Sequence, residues 1–156
     1  MWLSDDLFRT VVASTPLISM DLVVQNSQGE ILLGQRHNRP AQGVWFVPGG
    51  RILKNETMDV AFSRLTRDEL GKAFQRSEAR MLGAYEHFYT NSVFGDSDNS
   101  PDTHYVVLAY QLVLAEGEEL QPTNTQHDAY RWWPLTDAQT SKEVHDNTRA
   151  YLDDLR

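Results

Sequence analysis

Polar and apolar positions along the chain follow two periods, and the changes between them mark out the elements. Ser4, with Asp5 and Asp6 behind it, opens a short helix to about Ala13, and the two carboxylates fall in its first turn, where they suit the helix dipole. Pro16 stops it. From Leu17 to Gln25 the period is two: Ile18, Met20, Leu22 and Val24 fall on one face and Ser19, Asp21 and Val23 on the other, which predicts a strand. Asn26-Ser27-Gln28-Gly29 reads as a turn and Glu30 to Arg36 as the returning strand. His37 to Gly43 is polar and broken by Pro40, so a loop is expected there, of a kind that can lie over a substrate. Val44 to Val47 is apolar again and ends in Pro48-Gly49-Gly50, a turn expected to stop the strand and let the backbone approach a ligand.

From Thr57 to Leu70 nothing breaks a helix, and Gly71 stands where a glycine C-cap belongs. Arg64, Leu65, Asp68 and Glu69 are three or four apart, so they crowd one side of it and face the glycine turn. Lys72 to Glu78 is a polar connector. Met81 to Tyr89 and Thr103 to Leu114 read as strands of a hairpin, the second alternating His104, Val106, Leu108 against Tyr105, Val107, Ala109, with a long mobile loop from Asn91 to Asp102 between them. An acidic turn at Glu116 to Glu119 and a loop opened by Pro122 precede a short strand, Ala129 to Trp133. Thr136 is expected to cap a helix, and a final helix to run from about Val144 to Leu155. Strands followed by helices, with one helix in the middle, predict an α+β sandwich rather than a doubly wound sheet.

Length and composition narrow this further. At 156 residues, 40% apolar and 23% charged, the chain is expected to be one globular domain. Its start lacks a basic segment followed by an apolar core, and no apolar run approaches the roughly 20 residues of a membrane span, so a cytoplasmic protein with no membrane partner is expected. There is no cysteine, so any metal site must use oxygen or imidazole ligands. A net charge of −8, from 14 Lys+Arg against 22 Asp+Glu, argues against a nucleic-acid surface. Arg36, Arg39, Arg51 and Arg64 nevertheless gather around the glycine turn, where a phosphorylated small molecule would find its counter-charge.

Gly50, Glu56, Arg64, Glu69 and Gly71 stand in the register of the Nudix box, and the chain resembles that family, whose members are mostly Mg2+-dependent hydrolases of nucleoside diphosphates linked to another group. Leu65 departs from the pattern, because the box has there a glutamate that ordinarily binds metal; Thr66, Asp68 and Lys72 also differ. One branch shares the omission. Arg64-Leu65-Thr66 resembles the GDP-mannose mannosyl hydrolases (GDP-mannose glycohydrolases). So do Ser14-Thr15-Pro16-Leu17, Asn38 to Gly43, Trp45 to Arg51, His87-Phe88-Tyr89, Thr103 to Leu108, Gln126-His127-Asp128 and Tyr130-Arg131-Trp132, over nearly the whole chain.

The resemblance implies one Nudix domain over residues 1–156, with the box over about 50–71, folded as an α/β/α sandwich with a mixed sheet. It implies one Mg2+ per subunit, with Mn2+ an acceptable substitute, held by the Gly49 carbonyl, Glu69 and Gln126. His127 is then the general base, with Arg36 and Asp21 also catalytic, and Arg51, Arg64, His87, Tyr105, Arg39 and Phe8 on the substrate. Read without the family, Arg39 is a solvated arginine and His87 and Tyr105 are scaffold. The expected reaction is Mg2+-dependent hydrolysis of a GDP-sugar, GDP-mannose or GDP-glucose, to GDP and free hexose by inverting attack of water on the anomeric carbon. The rival is a conventional Nudix pyrophosphohydrolase cutting P–O–P in a nucleotide sugar or a nucleoside triphosphate, against which Leu65 stands. A non-catalytic nucleotide-sugar sensor is the third reading, against which Glu69, Gln126 and His127 together stand. The partner is a small-molecule nucleotide sugar. Resemblance, with Trp2, Phe8 and Trp45 as exposed aromatics, also implies a homodimer.

Overall fold

The computed structural model describes residues 2–37, 42–122 and 127–155, and at 127 and 128 the backbone only. Among these, the order is α1 (Asp5–Ser14), β1 (Leu17–Gln25), β2 (Ile31–Arg36), β3 (Trp45–Phe46), β4 (Gly49–Arg51), α2 (Met58–Leu70), β5 (Arg80–Tyr89), β6 (Thr103–Val113), β7 (His127–Trp133), α3 (Leu135–Thr140) and α4 (Asp146–Asp153).

The period-two pattern of β1 places it at the middle of a mixed sheet with order β3-β2-β1-β6-β5. Parallel pairing with β6 runs from Leu17 opposite Tyr105 to Gln25 opposite Val113, and β6 pairs antiparallel with β5. On its other side β1 meets β2 through Gln25 and Ile31, then pairs with β4 at Ser19 to Asp21, while β2 carries β3 and β7. The sheet therefore splits next to β1, and the split is where polar side chains collect.

Alternation sorts the core into two layers. Met20, Leu22 and Val24 join Tyr110, Leu112 and the apolar stripe of α2, Phe62, Leu65 and Leu70. Val23, Val107 and Ala109 face the other way, toward Ala138 of α3 and Tyr151 and Leu152 of α4. This is an α+β sandwich, helices covering both faces of one mixed sheet. Caps at α1 and α2 follow the sequence: Ser4 accepts from the Leu7 amide, Thr57 from the Val60 amide, and Gly71 ends α2 at a left-handed φ of 78°.

Four expectations are corrected. Gly49 and Gly50 do not end the sheet; they begin β4. A Cβ on Gly49 would stand 2.4 Å from the Met20 carbonyl oxygen and 2.5 Å from Asp21 Oδ1, so the glycine serves a close approach to β1. The Asn91 to Asp102 loop is tied down: Ser92 and Gly95 exchange backbone bonds, Phe94 packs on Phe8, and Arg9 donates to the Asn99 carbonyl. The penultimate helix starts behind Pro134 rather than at Thr136. The last starts at Asp146, because the backbone of Glu143 to His145 first bonds Trp45 in extended form, and His145 then caps the helix through Nδ1. Among the described residues no helix is long and apolar enough to cross a membrane.

Candidate active site

One cavity of about 700 Å³ opens at the split in the sheet. Because side chains alternate, Ser19 and Asp21 of β1, Tyr105 and Val107 of β6, and His87 and Tyr89 of β5 all come to the same face and line it. Gly49, Gly50 and Arg51 of β4 form another wall, Arg36 enters from the end of β2, Glu69, Arg64 and Leu65 from α2, and Phe8 from α1. Nine residues singled out in the sequence, distributed from Phe8 to Tyr105, thus meet in one place. Arg39 and Gln126 lie outside the described residues. His127 opens β7 instead of riding the loop before it, and its backbone pairs with Arg36 across a register shift in β2.

The box braces itself. Arg64 donates through Nε to Glu56 Oε2 (2.7 Å) and through Nη2 to Glu56 Oε1 (2.8 Å) and the Arg51 carbonyl (2.9 Å), while Glu56 Oε1 accepts from the Leu53 amide (2.7 Å). Bidentate arginine–carboxylate pairs are directional as well as strong. The hydrogen bond from Arg64 holds the Glu56 carboxyl below its usual range. Arg64 is therefore in the cavity wall with its guanidinium committed to the loop over 51–56.

Arg36 and Arg51 differ. Arg36 Nε is buried without a hydrogen-bond partner among the described residues, and burial pushes the Arg51 guanidinium down although Tyr105 opposes this. Arg51 stacks on Phe8 at 4.3 Å. Two cations held in a partly dry cavity are suited to an anion.

Glu69 is 3% exposed and accepts from the Tyr130 hydroxyl at 3.3 Å, and burial with the Glu69 charge beside it pushes Tyr130 up. A buried carboxylate and the Gly49 backbone share the cavity, and hard oxygen donors of this kind fit Mg2+. Among the described residues no three of His, Cys, Asp and Glu gather as a metal cluster, so a bound ion would complete its shell with water and substrate. Leu65, in the place of the box glutamate, is 3% exposed and packs in the apolar layer under α2.

Beneath the cavity Tyr151 of α4 donates to Asp21 Oδ2 at 2.6 Å and lies 3.1 Å from His87 Nε2. Burial raises Asp21 to about 7, against the pull of Tyr151 and Arg36, and lowers His87 to about 4.

Residues 15–155 match the model of the NUDIX domain. The chain belongs to the Nudix family. It is 38% identical over 97% of its length, and 89% of the relative's, to the low-salt glycan biosynthesis protein Agl8 of Haloferax volcanii. A MutT NUDIX hydrolase from Burkholderia pseudomallei superposes with a TM-score of 0.71 at 25% identity over 92% of this chain and 100% of that one. The MutT protein of Methanosarcina mazei Go1 gives 0.70 at 18% identity over 90% and 93%. This Nudix hydrolase accordingly belongs among enzymes that act on small nucleotide derivatives and generally use a divalent metal such as Mg2+.

Sequence reasoning missed Tyr151, Tyr130 and Tyr89 in this Nudix hydrolase. A signal for Tyr151 was present: Val144, Thr148, Tyr151 and Leu152 recur at helical spacing, and a tyrosine in such a stripe carries a hydroxyl that needs a buried partner. Asp21 gives a pH prediction. In the metal-free protein the folded carboxyl keeps its proton up to about pH 7, whereas the unfolded chain releases it near 3.8. Its contribution to stability is complete below 3.8 and is lost as pH rises through about 7. The stability of Asp21→Asn relative to the wild type should therefore rise from about pH 4 to 7 and stay constant above, a change of roughly 4 kcal/mol at about 1.4 kcal/mol per pKa unit. Urea unfolding at a series of pH values with a chelator checks this, and a pH-independent difference would mean an ionised Asp21.

Proposed function

We propose that this Nudix hydrolase splits GDP-sugars, GDP-mannose or GDP-glucose, into GDP and free hexose by attack of water on the anomeric carbon with inversion. The observation that carries the reading is Leu65, a buried core residue where the box supplies a metal-binding glutamate. Attack on phosphorus draws on several carboxylates along that helix. Departure of a diphosphate from carbon needs mainly its charge neutralised. The likeness to the GDP-mannose mannosyl hydrolases agrees, as does the similarity to a relative named for glycan biosynthesis.

In this reading Arg36 and Arg51 bind the diphosphate, with Tyr105 beside Arg51, and Asp21 and His87 hold the hexose. Glu69, the Gly49 carbonyl and Gln126 would hold one Mg2+ or Mn2+, which when bound supplies positive charge at the leaving diphosphate. His127 takes the proton of the attacking water on the face opposite the diphosphate, as the base of an inverting glycosidase does, while the C–O bond breaks and GDP leaves with the bonding pair. Phe8 and Arg39 contribute at the nucleotide, and a homodimer is the working assembly.

Three outcomes follow. Hydrolysis in 18O-enriched water puts label in the free hexose and none in phosphate; label in GMP or in a sugar 1-phosphate would instead establish cleavage of P–O–P. Glu69→Gln weakens Mn2+ binding by roughly 10- to 100-fold in calorimetry, since it removes the charged side-chain ligand while keeping the acceptor for Tyr130; unchanged affinity would remove Glu69 from the metal site. His127→Gln lowers kcat by roughly 100- to 10,000-fold with little change in Mn2+ affinity, and a small loss would sink the assignment of the base.

A further inference from the structure

We propose that Tyr151 is a positioning residue for the hexose: its hydroxyl bridges Asp21 and His87 and so fixes the spacing of the two polar groups that meet the sugar. The proposal rests on the nucleotide-sugar reading above. Asp21 and His87 line the cavity, whereas Tyr151 is fully buried behind them and acts through them. They come from β1 and β5 with β6 between, their partners on β6 being Ala109 and Tyr105, so the sheet register by itself does not set the relation between their tips. One hydroxyl has one proton and two acceptor sites and can satisfy both groups at once.

Helix α4 is anchored to the same walls. Thr148 Oγ1 accepts from the Val47 amide at 3.3 Å, Asn147 donates to the Tyr89 hydroxyl at 3.1 Å, and the Tyr151 ring packs edge-on against Tyr85 with centroids 4.7 Å apart. The bridge is thus held by a rigid element. A carboxyl and an imidazole at fixed spacing match hexose hydroxyls of one configuration, and an epimer with one hydroxyl turned away leaves a buried polar group unpaired, which is costly. Tyr151 would then govern the preference between GDP-mannose and GDP-glucose, which are epimers.

Tyr151→Phe removes only the hydroxyl. Tyr85→Phe, which breaks the bond to Asp154 at the C-cap of the same helix, serves as the structural control. In Tyr151→Phe the kcat/KM for the preferred GDP-hexose should fall about 10- to 100-fold and the ratio between the epimers should approach one. Inhibition by GDP, which lacks the hexose, should stay within about twofold. The 15N resonance of His87 Nε2 should move in Tyr151→Phe and stay in Tyr85→Phe. In the wild type, the buried Tyr151 hydroxyl proton should give a slowly exchanging signal that shifts with a GDP-hexose and not with GDP. A hydroxyl signal indifferent to the hexose overturns the role whatever the fate of the variant, as does an unchanged epimer ratio with an unchanged His87 resonance in Tyr151→Phe. A wild type that turns over neither GDP-hexose overturns the functional reading and this role with it.

Discussion

The close approach of β4 to β1 is the constraint on which the site depends. With no Cβ at Gly49, the backbone settles against Met20 and Asp21 at a distance that any other residue would forbid. Arg51 is then fixed two residues on, opposite Ser19, and Arg64 reaches its carbonyl from α2. Through the bidentate hold of Arg64 on Glu56, the loop over 51–56 closes and the helix is drawn in. Glu69 thereby comes to share a cavity with Asp21, although α2 packs on one face of the sheet and the Asp21 side chain lies on the other.

Charge is distributed against the chain's average. A protein of net charge −8 turns Arg36 and Arg51 into its cavity, where low dielectric strengthens their attraction for an anion. The acidic groups in the cavity and beside it are managed individually. Glu56 is neutralised by Arg64, Glu69 is buried next to a tyrosine hydroxyl, and Asp21 resists ionisation because burial outweighs its hydrogen bond. An anionic substrate thus meets two arginines and an Asp21 carboxyl that burial raises to about 7.

The two halves of the sheet divide the labour. β1, β5 and β6, backed by α4, carry Asp21, His87, Tyr89 and Tyr105; β4 and α2 carry the arginine staple and Glu69. Polar groups inside an apolar layer are tolerated where each is bonded, and here the tyrosines of β5, β7 and α4 supply much of that bonding.

Much was legible in the chain itself. Strand alternation, the helix from Thr57 to Leu70 with its Gly71 cap, the two-layer sorting of β1 and β6, and the box register are consequences of local sequence, so they could be read from it. The α+β sandwich followed, whereas the named side chains that line the cavity were implied by the family resemblance. Tertiary structure decided the rest. It made Gly49 and Gly50 a strand, because the reason for those glycines lies on a different strand 28 residues earlier in the register, at Asp21. It tied the Asn91 to Asp102 loop to α1 through Phe8 and Arg9, put Leu65 into the core, and joined Asp21 to His87 through a tyrosine from the last helix. Contacts between distant segments leave no periodic trace in either one, since each residue's local pattern is satisfied whichever partner it finds.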